Sequence, residues 1–556
     1  MVKHQYRAKI AVVTFVAFCM MMTLALTACG SSSSNADDTL YILSSSKKVD
    51  LDPAKSQNLA ITYSAYIERK LTTWDVSDSG GETTVVPDLA TNIGEVSNDG
   101  KTWTYHLKDG IKFETGAEIT SQDIKWGIER SFAPELSGGL TYHKDLLEDG
   151  DTYEGPFSGQ DLASIQTPDD KTIVFNLNRS YGDWPWIASQ PAFSPVPKGT
   201  VQTADYGKKP VSSGPYKVDS YEVGKQMVLV KNDQWDQATD DERTFDGKEP
   251  QKIIELLGQS AETATDRLIA DTGNDQTAFS SDFVSPQKLA QIKANPTASK
   301  RLVTSSAGAL EYLAMNTTRP GLSNLKVRQA IEYAVDKNAV RVAAGGENAG
   351  DFATTLITPG IQGRQDYDLY PASSSGDQDK AKALLSESGV DISSLNLVLV
   401  TETSSSLLNE AQAVQQALQQ VGIKVTLKEV DSDTANDIIT GSGEFDLVIS
   451  GWQPDYPSAN ANLQPLFASN QIGNGNYNLS RFSSVDVDQK IAAAQSEIDE
   501  TKAGQLWAEI DKEIMEQAPV VPLLYNKNTY IIGSKVSGFY IGSFPAYPVY
   551  FKIGIN

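Results

Sequence analysis

Cysteine is nearly absent from this chain: of 556 residues only Cys19 and Cys29 are cysteines, and both fall within the first 29 positions. The long body that follows has none, which excludes a disulfide framework, a thiolate metal site and a cysteine nucleophile there. Histidine is almost as scarce, with His4 near the start, His106 in an alternating strand pattern and His143 in a polar stretch. These three lack metal-ligand spacing and a Ser, Cys or Asp partner in a recognisable motif, so His106 and His143 read as strand or surface fillers. Net positive charge is missing too. Lys and Arg number 47 against 71 Asp and Glu, a formal charge of -24, so nucleic acid and broad anionic-lipid contact are poor partners. There is one long apolar run, at residues 10–26, and it is shorter than the ~20 residues of a spanning helix.

What surrounds that run is informative. Lys3, Arg7 and Lys9 precede it, the small-residue stretch Leu26, Thr27, Ala28, Cys29 closes it, and serines fill 31–34. Basic, then apolar, then small is the order of a bacterial secretory signal. The last four residues resemble a lipobox, which implies cleavage before Cys29, diacylation of its thiol and a signal peptide at 1–28. Loss of Lys3, Arg7 and Lys9 takes the formal charge to -27. Residues 29–38 then read as a flexible tether.

The body interleaves strands and helices. Trp103, Tyr105 and Leu107 alternate with polar residues and lead into Asp109 and Gly110, a strand entering a hairpin. Residues 172–177 and 226–231 are further strands, and 327–340 carries the one-face spacing of a single amphipathic helix. Strand 395–400, helix 407–421 stopped by Gly422, and strand 423–430 make a right-handed crossover in a mainly parallel sheet, so the fold class is α/β. An apolar strand at 445–450 ends at Gly451 and Trp452, and ligands of open α/β sheets gather at such strand ends.

An ordered set of segments carries a resemblance. It comprises LDP at 51–53 followed by 61–71, PDLA at 87–90, DGKTWTYHLKDGIKF at 99–113, TSQDI at 120–124 and GPYKV at 214–218. MN at 315–316, VRQAI at 327–331 with AVDK at 334–337, and KAKALL at 380–385 follow, and GW at 451–452 with DYP at 455–457 and PLLY at 522–525 complete it. Together these resemble the extracytoplasmic solute-binding proteins, family 5, that serve peptide and nickel importers of the ATP-binding-cassette type. Each piece also has a plain physical account as turn, loop or scaffold. Arg328, for instance, reads as a solvated or carboxylate-paired residue, and Asp240 with Asp241 as solvated surface.

The resemblance implies a two-lobed, type II periplasmic-binding-protein-like clamshell with an additional inserted domain. Lobe I would comprise 39–58, 197–308 and 516–556, the inserted domain 59–196, and lobe II 309–515. Hinge crossings would lie near Ala307 and Gly308 and near Ala518 and Pro519. It also implies an importer receptor, monomeric, without cofactor, metal or enzymatic activity, held by lipid at the outer face of the cell membrane and handing oligopeptide to permease subunits. A receptor for many peptides must hold the backbone and neutralise the α-ammonium. Asp455 is the candidate carboxylate, and it suits equally a turn before Tyr456 and Pro457. Gly451, Trp452 and Gln453 would offer backbone groups from lobe II and Ser45 and Ser46 from lobe I. Trp452, Tyr456 and Tyr525 would wall side-chain pockets. Tyr181, Trp184 and Trp186 read as core or domain contact, with a sugar platform as the second reading. Ile449 stands where some peptide receptors carry a basic residue, which leaves ligand length open and keeps oligosaccharides and nickel chelates as alternatives. A secreted hydrolase with paired carboxylates is the reading from another class.

Overall fold

The computed structural model describes residues 38–78, 81–201, 205–246, 248–306, 308–403 and 405–556; Cys29, the apolar run and most of the Ser-rich tether lie outside them. Among the described residues no helix is long and apolar enough to cross a membrane.

Two sheet-centred bodies and one smaller domain make up the molecule. The first body holds a five-stranded sheet whose strands run in the order Ala278–Ser280, Thr39–Leu43, Lys252–Leu256, Gln226–Lys231, Tyr216–Glu222. The first three are mutually parallel and the last two antiparallel. The second body holds six strands, in the order Gly350–Phe352, Val520–Asn526, Leu310–Met315, Leu447–Trp452, Asn396–Glu402, Lys424–Val430. Here the expected strand, helix, strand crossover is present: Asn396–Glu402 and Lys424–Val430 are parallel, joined by the helix Ser405–Gln420, with Gly422 at φ +91 after its end. The sheet is mixed, however, not mainly parallel. Leu310–Met315 pairs antiparallel on both sides, with Leu447–Trp452 and Val520–Asn526, two strands distant from it in sequence.

The smaller domain carries a four-stranded antiparallel sheet, Glu95–Ser97, Thr102–His106, Thr172–Asn176, Ile165–Asp169. Asn98, Asp99 and Gly100, all at positive φ, turn the chain into Thr102–His106. That strand then pairs with Thr172–Asn176, not with a hairpin partner beyond Gly110. His143 is buried here between Phe132 and Phe193, with ring centroids 5.4 and 5.7 Å away, and its Nε2 lies 2.7 Å from the Ser131 hydroxyl. Burial pushes this imidazole down to about 3, so it is a neutral core residue and not a surface filler.

Several motif residues turn out to be structural. Thr120 and Asp123 form a capping box that starts the helix Ser121–Ser131. Asp52 takes two bonds from Arg130, at 2.9 and 2.8 Å, with both side chains buried. Asp88 accepts from Arg69 at 2.7 Å and Arg243 at 3.0 Å, and Arg243 also reaches Asp240. Asp240 is therefore 2% exposed and ion-paired, contrary to the surface reading, whereas Asp241 is exposed.

The expected helix at 327–340 is two helices, Leu325–Ala334 and Lys337–Ala344, because Asp336 leaves helical geometry and its carboxylate caps Ala339 N–H at 2.7 Å. Arg328 meets no carboxylate. It is buried and donates to the carbonyls of Leu322, Gln517 and Ala518, closing the C-terminus of the helix Glu500–Glu516. Arg328→Met leaves those carbonyls unpaired, and urea titration is expected to show a loss of about 2 kcal/mol.

Two passages join the bodies. Leu302–Thr304 pairs with Thr529–Ile531, and the flanking strands Leu310–Met315 and Val520–Asn526 pair in the six-stranded sheet. The second crossing thus falls between Asn526 and Thr529 and not at Ala518 and Pro519. Ser305 N–H donates to Asn528 O and Asn528 N–H to Ser305 Oγ, both at 2.9 Å, so the crossings are tied to each other.

Candidate ligand-binding site

The strand Leu447–Trp452 runs two residues further than its hydrophobic pattern indicates. On one side it pairs throughout with Leu310–Met315, Gly451 facing Glu311 and Trp452 facing Leu310. On the other side it meets Asn396–Glu402 only at Leu447 and Val448. From Ile449 to Trp452 that edge meets no further strand among the described residues, which leaves its backbone N–H and C=O groups to an added strand.

Past this edge the chain turns through Gln453 and Pro454 to Asp455. Asp455 Oδ2 accepts a 2.7 Å bond from the Tyr142 hydroxyl, which comes from the small domain. Burial raises the carboxyl above its ordinary value and the Tyr142 bond offsets part of that rise. The side chain is half-buried, and among the described residues no basic one is paired with it. Such a carboxylate, fixed on one oxygen and short of a cation, can complete an ion pair with an ammonium group.

The other candidates divide. Gly451 is exposed at the strand edge. Trp452 is half-buried, its Nε1 donating to Ala461 O at 2.7 Å and its ring against Tyr477 at 5.0 Å. Gln453 is half-buried, and its Nε2 is buried without a partner. Tyr456 is 1% exposed, with its hydroxyl 3.0 Å from that of Tyr181, so it packs behind Asp455 and touches the ring of Tyr142 edge-on. Tyr525 is also buried, its hydroxyl 2.7 Å from Thr355 Oγ1. Ser45 and Ser46 are exposed at the end of Thr39–Leu43, but Asp282 takes both the N–H and the hydroxyl of Ser45, at 2.8 and 2.7 Å. Ser46 O is used by Gly258 N–H. Ile449 is 8% exposed and belongs to the second body's core.

Sequence reasoning does not reach Tyr142, which sits in a short helix without a distinctive pattern, nor Asp183, Ser458 and Asn460 of the buried seam beside the site. In that seam Tyr181, Asp183 and Gly182 of the small domain meet the second body. Asn460 Nδ2 donates to Tyr181 Oη at 2.8 Å, Ser458 Oγ to Asp183 at 2.7 Å, and Gly182 N–H to Gln495 O at 2.8 Å. Burial pushes Asp183 up to about 6, its hydroxyl and amide partners notwithstanding. Trp184 is fully buried against Phe175 and Phe193. Tyr181 is thus a domain contact and Trp184 a core residue, within the first of the two readings, and the seam holds the segment that follows Asp455.

Comparison with known proteins adds the context for this geometry. The family model for bacterial extracellular solute-binding proteins, family 5 Middle, matches residues 84–474. Glutathione-binding protein GsiB of Salmonella paratyphi A is 26% identical over 457 residues, 80% of this chain and 82% of that protein. The solved structure of clavulanic acid biosynthesis oligopeptide binding protein 2 is 30% identical with a TM-score of 0.83, covering 93% of this chain and 95% of that one. The unliganded open form of the murein tripeptide binding protein MppA, 21% identical, shares the fold at a TM-score of 0.76, covering 93% of this chain and 97% of that one.

Proposed function

Because the chain belongs to the bacterial extracellular solute-binding proteins of family 5, we propose that it captures oligopeptides for an ATP-binding-cassette importer, anchored to the membrane through Cys29. The observation that carries the peptide reading is the pairing of an unfilled strand edge at 449–452 with a cation-deficient carboxylate at Asp455 a few residues on. An extended peptide would add its backbone to that edge and place its α-ammonium against Asp455, which requires no particular side chains. The names of the relatives, which bind glutathione, oligopeptide or murein tripeptide, support a short peptide over a saccharide or a nickel chelate.

In this reading the lobes close about the passages at 304–306, 308–310 and 526–529, and ligand favours the closed state by touching both bodies. The lipid at Cys29 would keep the receptor near its permease, and two or three acyl chains would hold it firmly.

Calorimetry with free-amine and N-acetylated versions of the same tri- and tetrapeptides tests the reading. Acetylation is expected to weaken binding on the order of 10²-fold, since it removes the charge that Asp455 would neutralise. Equal affinity for both forms would exclude the ammonium role, and binding of oligosaccharides but no peptide would exclude the peptide reading. Mass spectrometry of metabolic labelling with a fatty-acid probe, compared with Cys29→Ala, tests the anchor.

A further inference from the structure

Two buried glutamates beside the strand edge have no part in the reading so far. Glu311 lies directly across from Gly451 in the antiparallel pair, and Glu410 lies on the helix Ser405–Gln420 that packs on the same sheet. They are 9% and 2% exposed. Where the molecule buries Asp88 and Asp240 near each other, Arg69 and Arg243 cross-link them. The glutamates have no such counterion: among the described residues no basic side chain acts on either.

Burial drives Glu311 up to about 7, relieved only by a 3.3 Å bond from Asn526 Nδ2. Burial, then repulsion by Glu311, drives Glu410 up to about 8. One oxygen of each, Glu311 Oε1 and Glu410 Oε2, is buried with no hydrogen-bond partner. Such oxygens are rare in native proteins, and they mark a place where a donor is missing.

A second observation concerns space. Directly opposed residues in an antiparallel pair share a face, so any side chain at 451 would stand next to Glu311. The residue there is glycine and exposed, and a Cβ built on it meets nothing nearer than Leu310 O at 3.8 Å. Packing therefore does not require a glycine, and position 451 leaves side-chain space free beside Glu311 on the face that borders the edge at 449–452.

We propose that Glu311 and Glu410 form a subsite for one cationic side chain, the ammonium of lysine or the guanidinium of arginine, of a peptide bound along that edge. An extended ligand opposite Gly451 would direct alternate side chains onto this face, and a charged donor there would satisfy both orphaned oxygens. This rests on the peptide reading and adds to it a preference for basic peptides that no residue at Asp455 supplies.

The test is calorimetry of the full-length protein with alanine tetrapeptides carrying lysine or norleucine at each position in turn, in buffers of different ionisation heat. The expected result is one position at which lysine binds more than about 10-fold tighter than norleucine, with release of a further proton, because burial and repulsion keep the carboxyls partly protonated until a cation arrives. Glu410→Gln and Glu311→Gln, checked for folding by thermal melts, are expected to bring the lysine-to-norleucine ratio close to one. Peptide binding with no lysine preference at any position overturns the subsite and leaves the peptide reading standing; absence of peptide binding removes both. A preference that survives in both variants assigns it to other residues. Competition of lysine peptides by potassium or sodium ions at millimolar level would make the pair a metal-ion site and overturn the proposal.

Discussion

Asp455→Asn is expected to lower affinity for free-amine peptides by about 3 kcal/mol, on the order of 10²-fold, while leaving the melting temperature of the unliganded protein nearly unchanged. The substitution keeps an acceptor for the Tyr142 hydroxyl, which is 2.7 Å away, so the turn after the strand retains its hydrogen bond. What it removes is the charge. N-acetylated peptides are expected to bind wild type and variant alike, and that contrast isolates the ammonium contact from general damage to the cleft. A pH series sharpens it. Burial raises the Asp455 carboxyl above its ordinary value, so its charge, and the affinity it confers, is expected to fade at higher pH than for an exposed aspartate as acid is added. Loss of affinity for both peptide forms in Asp455→Asn would mean that the residue is only a turn former.

Arg243→Met is expected to cost about 3 to 5 kcal/mol in equilibrium unfolding, the largest effect of any single change considered. Arg243 is fully buried and holds Asp88 at 3.0 Å and Asp240 at 3.1 Å, while its Nε donates to Ala65 O at 2.9 Å. Removing it leaves two buried carboxylates with Arg69 as the remaining guanidinium. The cluster joins the small domain, through Arg69 and Asp88, to the segment at 240–243 of the first body, so the loss is also expected to loosen that junction. Burial by itself would raise Asp240, but the guanidiniums of Arg243 and Arg69 overcome it and hold the carboxyl well below the usual range. A depressed folded-state value contributes its full stability above the unfolded value near 4 and loses it progressively as pH falls from there through the folded value. Wild type is therefore expected to lose stability below about pH 4, with a shallower decline in the variant. Fluorescence-monitored urea titrations across that range check both statements.

The site was legible in part because its pieces leave different kinds of trace. The strand ending near Gly451 is an apolar run bounded by a glycine, and the segment at 455–457 is a motif, so both can be seen in one dimension. The extra two residues of pairing, Glu311 with Gly451 and Leu310 with Trp452, leave no trace of that kind, since glycine and tryptophan at a strand end fit a loop equally well. Ser45 shows the converse. Its position after the first strand was readable, but not that Asp282, 237 residues away, consumes its N–H.

Family membership, the α/β class, the crossover at 396–430 and the candidacy of Asp455 were determined by the sequence alone, because each depends on periodicity or on an ordered local motif. Only the tertiary structure decided which charges are buried, that Arg328 closes a helix end, that Tyr142 holds Asp455, and that Glu311 and Glu410 are each buried with one oxygen unpaired. These depend on segments brought together across hundreds of residues. The energy of a charge is set by what surrounds it in space, and the order of residues along the chain does not state that.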